Sequence, residues 1–127
     1  MRKLTLLCGL SVMCIFFSCK TTPRKPDSQI TDSVYQAGAF TGDSFDHTFY
    51  IKSTGGADLI IDTVSSSCDC TNVTWQKGPI KTGDSAFVKV TVKPQASFRG
   101  EASTYLLIKT NGKKQLNALT VIYKKNG

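Results

Sequence analysis

One run constrains the fold more than any other: Ser85-Ala86-Phe87-Val88-Lys89-Val90-Thr91-Val92-Lys93. Ala86, Val88, Val90 and Val92 share one parity, and Phe87, Lys89, Thr91 and Lys93 share the other. Successive side chains on a β-strand point to opposite faces, so this run has one face for a core and one for water. β-Branched residues also sit well on pleated backbone. An all-β chain is the reading to test against the rest.

The rest agrees. Phe45, His47, Phe49 and Ile51 alternate with Asp46, Thr48, Tyr50 and Lys52, and Ser53-Thr54-Gly55-Gly56 breaks the pattern. Leu59 to Val64 and Asn72 to Trp75 read as strands on either side of Ser65-Ser66-Ser67-Cys68-Asp69-Cys70-Thr71. Lys77-Gly78-Pro79 and Lys81-Thr82-Gly83-Asp84 are turn signals, and Pro94 to Gly100 is a loop. Ala102 to Thr110 is a strand, Asn111-Gly112 a hairpin signal, and Lys114 to Tyr123 the closing strand. Ser33 to Ala37 is an edge strand, with residues 38–43 as a loop. No segment carries a helical period. About seven strands at a spacing near 10 residues predict an immunoglobulin-like antiparallel β-sandwich over residues 33–127.

The first 32 residues are of another kind. Met1-Arg2-Lys3 is a short basic start, and Leu4 to Phe17 is apolar but shorter than the roughly 20 residues a membrane span needs. Phe16-Phe17-Ser18-Cys19 resembles a bacterial lipobox, with Phe16 in place of the usual Leu. Residues 1–18 are therefore read as a lipoprotein signal peptide and Cys19 as the lipidated N-terminus of the mature chain. Residues 19–32 contain two prolines and little apolar surface, and are expected to form a flexible tether. The expected location is the cell envelope. No acidic run follows Cys19, so the periplasmic face of the outer membrane is preferred.

Processing at Cys19 changes both the charge and the cysteine inventory. The full chain carries 16 basic and 9 acidic residues, a net charge of +7. Loss of Arg2 and Lys3 leaves 14 basic residues and a net +5. The lysines are scattered along strands as solvated faces and edge protection. No basic run is interleaved with aromatics, so no nucleic-acid partner is expected. Of the five cysteines, Cys8 and Cys14 leave with the signal peptide and Cys19 carries lipid. Cys68 and Cys70 remain, in a compartment that oxidises thiols.

Four accounts of that pair stand open. The preferred one is packing, since cysteine behaves as a small apolar residue. A Cys68–Cys70 disulfide is the second. An extended strand holds such neighbours roughly 6.5–7 Å apart, at or beyond the bridging range, so it requires a turn at Asp69. Asp tolerates left-handed backbone better than most residues, and so small a ring would be easily reduced. The third account is soft-metal binding, with two thiolates suited to Cu(I) or to half of a zinc site. His47, the only histidine, is then a possible third ligand, although its register with Phe45 and Phe49 reads more simply as core. The fourth is a nucleophilic thiol, which the adjacent Asp69 carboxylate opposes.

The succession HTFYIKSTGGADLIIDTVSSSCDCT, GPIKTGDSAFVKVTV and FRGEASTYLLIKTN resembles the bacterial domain-of-unknown-function 1573 family across roughly residues 34–123. Phe49, Ile51, Gly55, Leu59, Ile61, Ser67, Cys68, Cys70, Thr71, Gly83, Gly100 and Asn111 carry the resemblance. Ser53, Asp69 and Thr82 depart from it, where the family has Asn, Gly and Pro. The resemblance implies an exported, often lipid-anchored domain, similar to the immunoglobulin-like interaction modules of ciliary and sperm proteins. It supplies no catalytic residue and no cofactor. The signatures of serine hydrolases, phosphate loops and zincins are absent from the chain. The acidic residues read as solvated loop and strand-exterior groups. Trp75 is expected to cover one end of the core rather than join Phe87 and Tyr105 in an exposed aromatic patch.

The functional expectation is a non-enzymatic, lipid-anchored envelope domain that binds another envelope protein. The alternative is a thiol-redox or copper-handling protein using Cys68 and Cys70.

Overall fold

The computed structural model describes residues 24–126, and the expected signal peptide and Cys19 lie outside them. The described chain is all-β. Its eight strands are β1 (Ser28–Gln29), β2 (Val34–Phe40), β3 (Phe45–Ser53), β4 (Ile61–Ser66), β5 (Thr71–Trp75), β6 (Ser85–Val92), β7 (Gly100–Thr110) and β8 (Leu116–Lys125). One sheet has the order β1-β3-β6-β5 and the other β2-β8-β7-β4, stacked as a sandwich.

The alternating runs do what their parity demands. Ala86, Val88, Val90 and Val92 of β6 are fully buried, as are Ile51 of β3, Ile108 of β7, and Leu119 and Val121 of β8. Each Val, Ile or Leu among them stabilises the fold by about 1.5–3 kcal/mol relative to exposure. Lys89 and Thr91, on the opposite parity, face Asp46 on neighbouring β3. Lys89 Nζ lies 3.8 Å from Asp46 Oδ2, and Thr91 donates to Asp46 Oδ1 at 2.6 Å.

Several features differ from the sequence expectation. The strand count is eight rather than seven, and β2 runs parallel to β8, so the second sheet is mixed. Strand β2 also continues through the expected loop as far as Phe40. A bulge between Gln36 and Gly38 absorbs the register shift, and Gly38 adopts φ 68°, which only a residue without Cβ takes easily.

The expected tether is a further difference. From Arg24 onward the chain is docked, and β1 pairs with β3 through Ser28↔Ser53 and Gln29↔Lys52. Thr54 N–H donates to Asp27 O at 3.1 Å and Gly56 N–H to Lys25 O at 2.9 Å. A Cβ on Gly55 would collide with the backbone of Lys25 to Asp27. Low apolar content gave no sign of this because the segment is held chiefly by main-chain hydrogen bonds against a glycine pair, with Ile30 its one aliphatic side chain packed on the core.

Asn111-Gly112 does not form a two-residue hairpin. Thr110 N–H donates to Gln115 O, which leaves residues 111–114 as the loop. Asn111 instead reaches across the sheet end. Its Oδ1 accepts from Ile60 N–H at 2.8 Å and its Nδ2 donates to Asp58 O at 3.3 Å. Leu59, expected at the start of a strand, makes an isolated bridge with Ile80 before β4 begins.

Candidate functional site

The SSSCDCT stretch is the crossover between the two sheets, since β4 lies in one and β5 in the other. It is shaped by hydrogen bonds between specific atoms. Thr71 N–H donates to Cys68 O at 3.2 Å, which closes a turn over Cys68–Thr71. Ser66 Oγ donates to Cys68 O at 3.0 Å. Ser67 N–H donates to Tyr105 O, and Tyr105 N–H returns a bond to Ser67 Oγ at 2.9 Å. Thr71 is buried and its hydroxyl meets that of buried Thr104 at 3.2 Å. Lys93 N–H donates to Cys70 O at 2.8 Å, tying the turn to the end of β6.

The turn brings the Cα atoms of Cys68 and Cys70 to 5.1 Å, and the two sulfurs are bonded. The disulfide account is therefore the one the structure adopts, in place of free-thiol packing. The turn forms without left-handed backbone at Asp69, because no non-glycine residue has positive φ. A ring across a single residue removes little entropy from the denatured chain: about 1.6 kcal/mol in the chain-entropy treatment, against about 3 kcal/mol for a 15-residue loop. The hydrogen bonds above already hold the crossover in place.

The disulfide opens on a cleft of about 830 Å³. Its walls are the turn itself, the β6–β7 loop with Lys93, Pro94 and Phe98, and Tyr123 of β8. Tyr123 anchors the floor, with Phe45 at 5.5 Å, Phe40 at 6.0 Å and Phe98 at 6.3 Å between ring centroids. Burial pushes the Tyr123 hydroxyl pKa upward. The two sulfurs differ in their neighbours. Cys68 Sγ accepts the Cys70 N–H at 3.2 Å, while Cys70 Sγ lies 3.7 Å from the Thr71 hydroxyl.

The other sequence candidates lie elsewhere. His47 is not a third ligand: its ring stacks on Tyr35 at 3.5 Å and meets Phe49 edge-on at 4.6 Å. Strand β6 separates it from the strand that follows the cysteines. Burial lowers the His47 pKa from 6.5. Among the described residues no group of three His, Cys, Asp or Glu side chains is placed to hold a metal. Trp75 packs against the core, with Lys77 Nζ 3.2 Å from its ring centroid. Phe87 pairs with Tyr50 on the outer face of one sheet, and Tyr105 lies on the other sheet, so the three aromatics form no common patch.

The contributions of Lys93, Phe98, Tyr123 and Thr104 to this site were not foreseen. For Lys93 and Phe98 the signal was the loop at Pro94 to Gly100, which follows the strand that pairs with β5; Thr104 and Tyr123 lie on strands and carried none.

A second surface is geometrically distinct. Strand β1 covers β3 at Lys52 and Ser53 alone, after which the chain crosses to the other sheet. Along the rest of that edge runs a groove of about 260 Å³ lined by Asp32, Val34, Tyr35, His47, Thr48 and Tyr50.

Residues 28–123 match the family described as "Protein of unknown function (DUF1573)". The chain belongs to that family. The match starts at β1, and the docked residues Arg24 to Asp27 lie just before it. No curated protein matches the chain. Among solved structures, it is similar to a protein of unknown function from Porphyromonas gingivalis W83, at 18% identity and TM-score 0.72. That likeness covers 86% of this chain and 51% of the other, so this chain spans about half its length. It is also similar to a PapD-like (ASH) domain of human CEP192, at 12% identity and TM-score 0.63, covering 84% and 89% of the two chains. The YadV chaperone is a further likeness, at 12% identity and TM-score 0.55, covering 80% and 53%. At these identities the likeness shows the fold alone.

Proposed function

We propose that this DUF1573 domain is a lipid-anchored cell-envelope module, without catalytic turnover, that binds another envelope protein by adding an extended segment of it to β3. The observation that carries the reading is the edge of β3, which no strand covers beyond Lys52 among the described residues, and the groove beside it. Ser53 N–H points to the β6 side, bonding Asp84 O, and Thr54 N–H points to the β1 side, bonding Asp27 O. By strand alternation the N–H and C=O groups of Asp46, Thr48 and Tyr50 point outward, where an incoming strand takes them up.

The lipobox-like Cys19 and the docking of Arg24 to Asp27 support an orientation. The chain enters at the sandwich end formed by the Thr54–Asp58 loop and the β7–β8 loop. Arg24, Lys25 and Lys113 cluster there. A lipid on Cys19 holds that end towards the membrane, where the cations favour anionic headgroups. The β3 edge runs up the side of the domain, open to a partner in the periplasm.

The test is site-specific photocrosslinking from Tyr50 in the native envelope, on wild type and on Thr48→Pro. Proline at position 48 removes an outward N–H and spares the ladder to β6. A discrete adduct from Tyr50 that is lost in Thr48→Pro is expected. An adduct that persists in Thr48→Pro, or one that forms from Leu107 on the opposite sheet instead, would overturn edge pairing.

A further inference from the structure

We infer that Cys68–Cys70 is a thiol–disulfide exchange site, and that the adjoining cleft receives a cysteine-containing segment of another polypeptide. Three observations converge. The bond closes across one residue, so it is no staple between distant parts of the fold. It lines an open cleft with apolar walls at Pro94, Phe98 and Tyr123, of the kind that accepts an extended chain. And the Cys70 N–H points at Cys68 Sγ, where it stabilises negative charge on that sulfur.

The last point assigns the roles. A substrate thiolate attacks Cys68 Sγ, a substrate–Cys68 bond forms, the Cys68–Cys70 bond breaks and Cys70 departs as thiolate. A second thiolate of the same substrate then attacks the substrate sulfur of the mixed disulfide. Cys68 leaves with its charge facing the Cys70 N–H. Two electrons pass from the substrate dithiol to the protein disulfide, and one substrate disulfide forms per chain. Read in reverse, the reduced protein uses Cys68 as the attacking sulfur and Cys70 as the resolving one. Asp69 and Lys93 both face the cleft, as opposing charges beside the reaction. The site lies at the opposite end of the sandwich from Arg24 and Gly55. The β6–β7 loop and the β4–β5 crossover meet at this far end, and β3–β4 and β7–β8 turn at the other.

The experiment uses the described domain with a synthetic dithiol peptide as probe. Wild-type protein is mixed with the peptide and quenched with acid, and mixed disulfides are mapped by mass spectrometry. The same is done with the peptide disulfide and reduced Cys70→Ser or Cys68→Ser. Exchange at Cys68 predicts that Cys70→Ser traps the peptide at least about tenfold faster than Cys68→Ser does. In wild type, every mapped adduct is then on Cys68. Equal trapping by the two variants, a preference for Cys70, or a wild-type disulfide that does not exchange with the peptide would each overturn the proposal. The wild-type mapping stands even where a serine variant folds poorly. Binding at the β3 edge is independent of all three outcomes.

Discussion

Strand β6 and the β4–β5 crossover lie side by side and are specified in opposite ways. Strand β6 is flanked by β3 and β5 and sends four fully buried side chains inward. What it needs is apolar volume at every second position. The crossover has little apolar content. It keeps its shape through hydrogen bonds of Ser66, Ser67, Thr71 and Thr104 to specific atoms. A core strand therefore tolerates conservative exchange and suffers from cavities. The crossover suffers from the loss of single hydrogen bonds and is indifferent to bulk.

The largest effect should come from the core. Leu106 of β7 is buried to 1% exposure between the sheets. Leu106→Ala should lose about 2–5 kcal/mol of unfolding free energy, through lost transfer and an unfilled cavity. Leu106→Met should lose less than about 1.5 kcal/mol. Denaturant titration followed by far-UV circular dichroism measures both. Equal losses from the two variants would erase the volume rule for this side of the comparison.

The crossover should answer to polarity instead. Thr104→Val is close to isosteric but removes the hydroxyl that meets buried Thr71 at 3.2 Å, leaving Thr71 only the longer contact to Cys70 Sγ at 3.7 Å. The expected cost is about 1–3 kcal/mol, for a buried hydroxyl left with a weak sulfur contact. The double variant Thr71→Val/Thr104→Val should recover part of it, because both orphans are then gone. A double variant as unstable as the sum of the singles would mean that the pair is not coupled.

These contrasts explain what could be read from the residues in order. The period-two runs at Phe45–Ile51 and Ala86–Val92 carry their own instructions, since each residue's face follows from its parity. The β-sandwich and the Cys-x-Cys landmark were legible for that reason. The parallel β2–β8 pair was not, because Val34 to Phe40 carries no local mark of which strand it joins. Docking of Arg24 to Asp27 was invisible for a related reason: its partners are main-chain groups around Gly55, with β1, β2 and β3 between them in sequence. The cleft beside the cysteines needed Lys93, Phe98 and Tyr123 to converge from two other segments, and His47 was drawn to Tyr35 by the same sandwich closure.

A third effect separates the disulfide from the bonds around it. Cys68→Ser/Cys70→Ser should lose no more than about 1.6 kcal/mol, the entropy a ring of this size removes from the denatured chain. That is less than the Thr104→Val loss at its upper range. Chemical reduction of wild type should lower the unfolding free energy by a similar amount. A loss above about 3 kcal/mol would make the bond a structural staple.

The smallest effect lies at the other edge of the sandwich, where one residue belongs to neither class. His47 stacks between Tyr35 and Phe49 as a core residue does, yet it titrates. Burial lowers its folded pKa below the 6.5 of the exposed side chain. Between those two values the unfolded chain binds the proton more readily, so stability rises with pH across that window. The contribution is whole above about pH 6.5 and is lost as pH falls through the folded value. Asp32 lines the same groove. Partial exposure keeps the effect small. Unfolding free energy measured at about pH 7.5 and at about pH 5 should fall with acid in wild type, and the fall should be shallower in His47→Gln. An identical slope in the two proteins would show that His47 does not feel the closure of the sandwich. A slope of opposite sign would mean that Asp32, not burial, governs its proton.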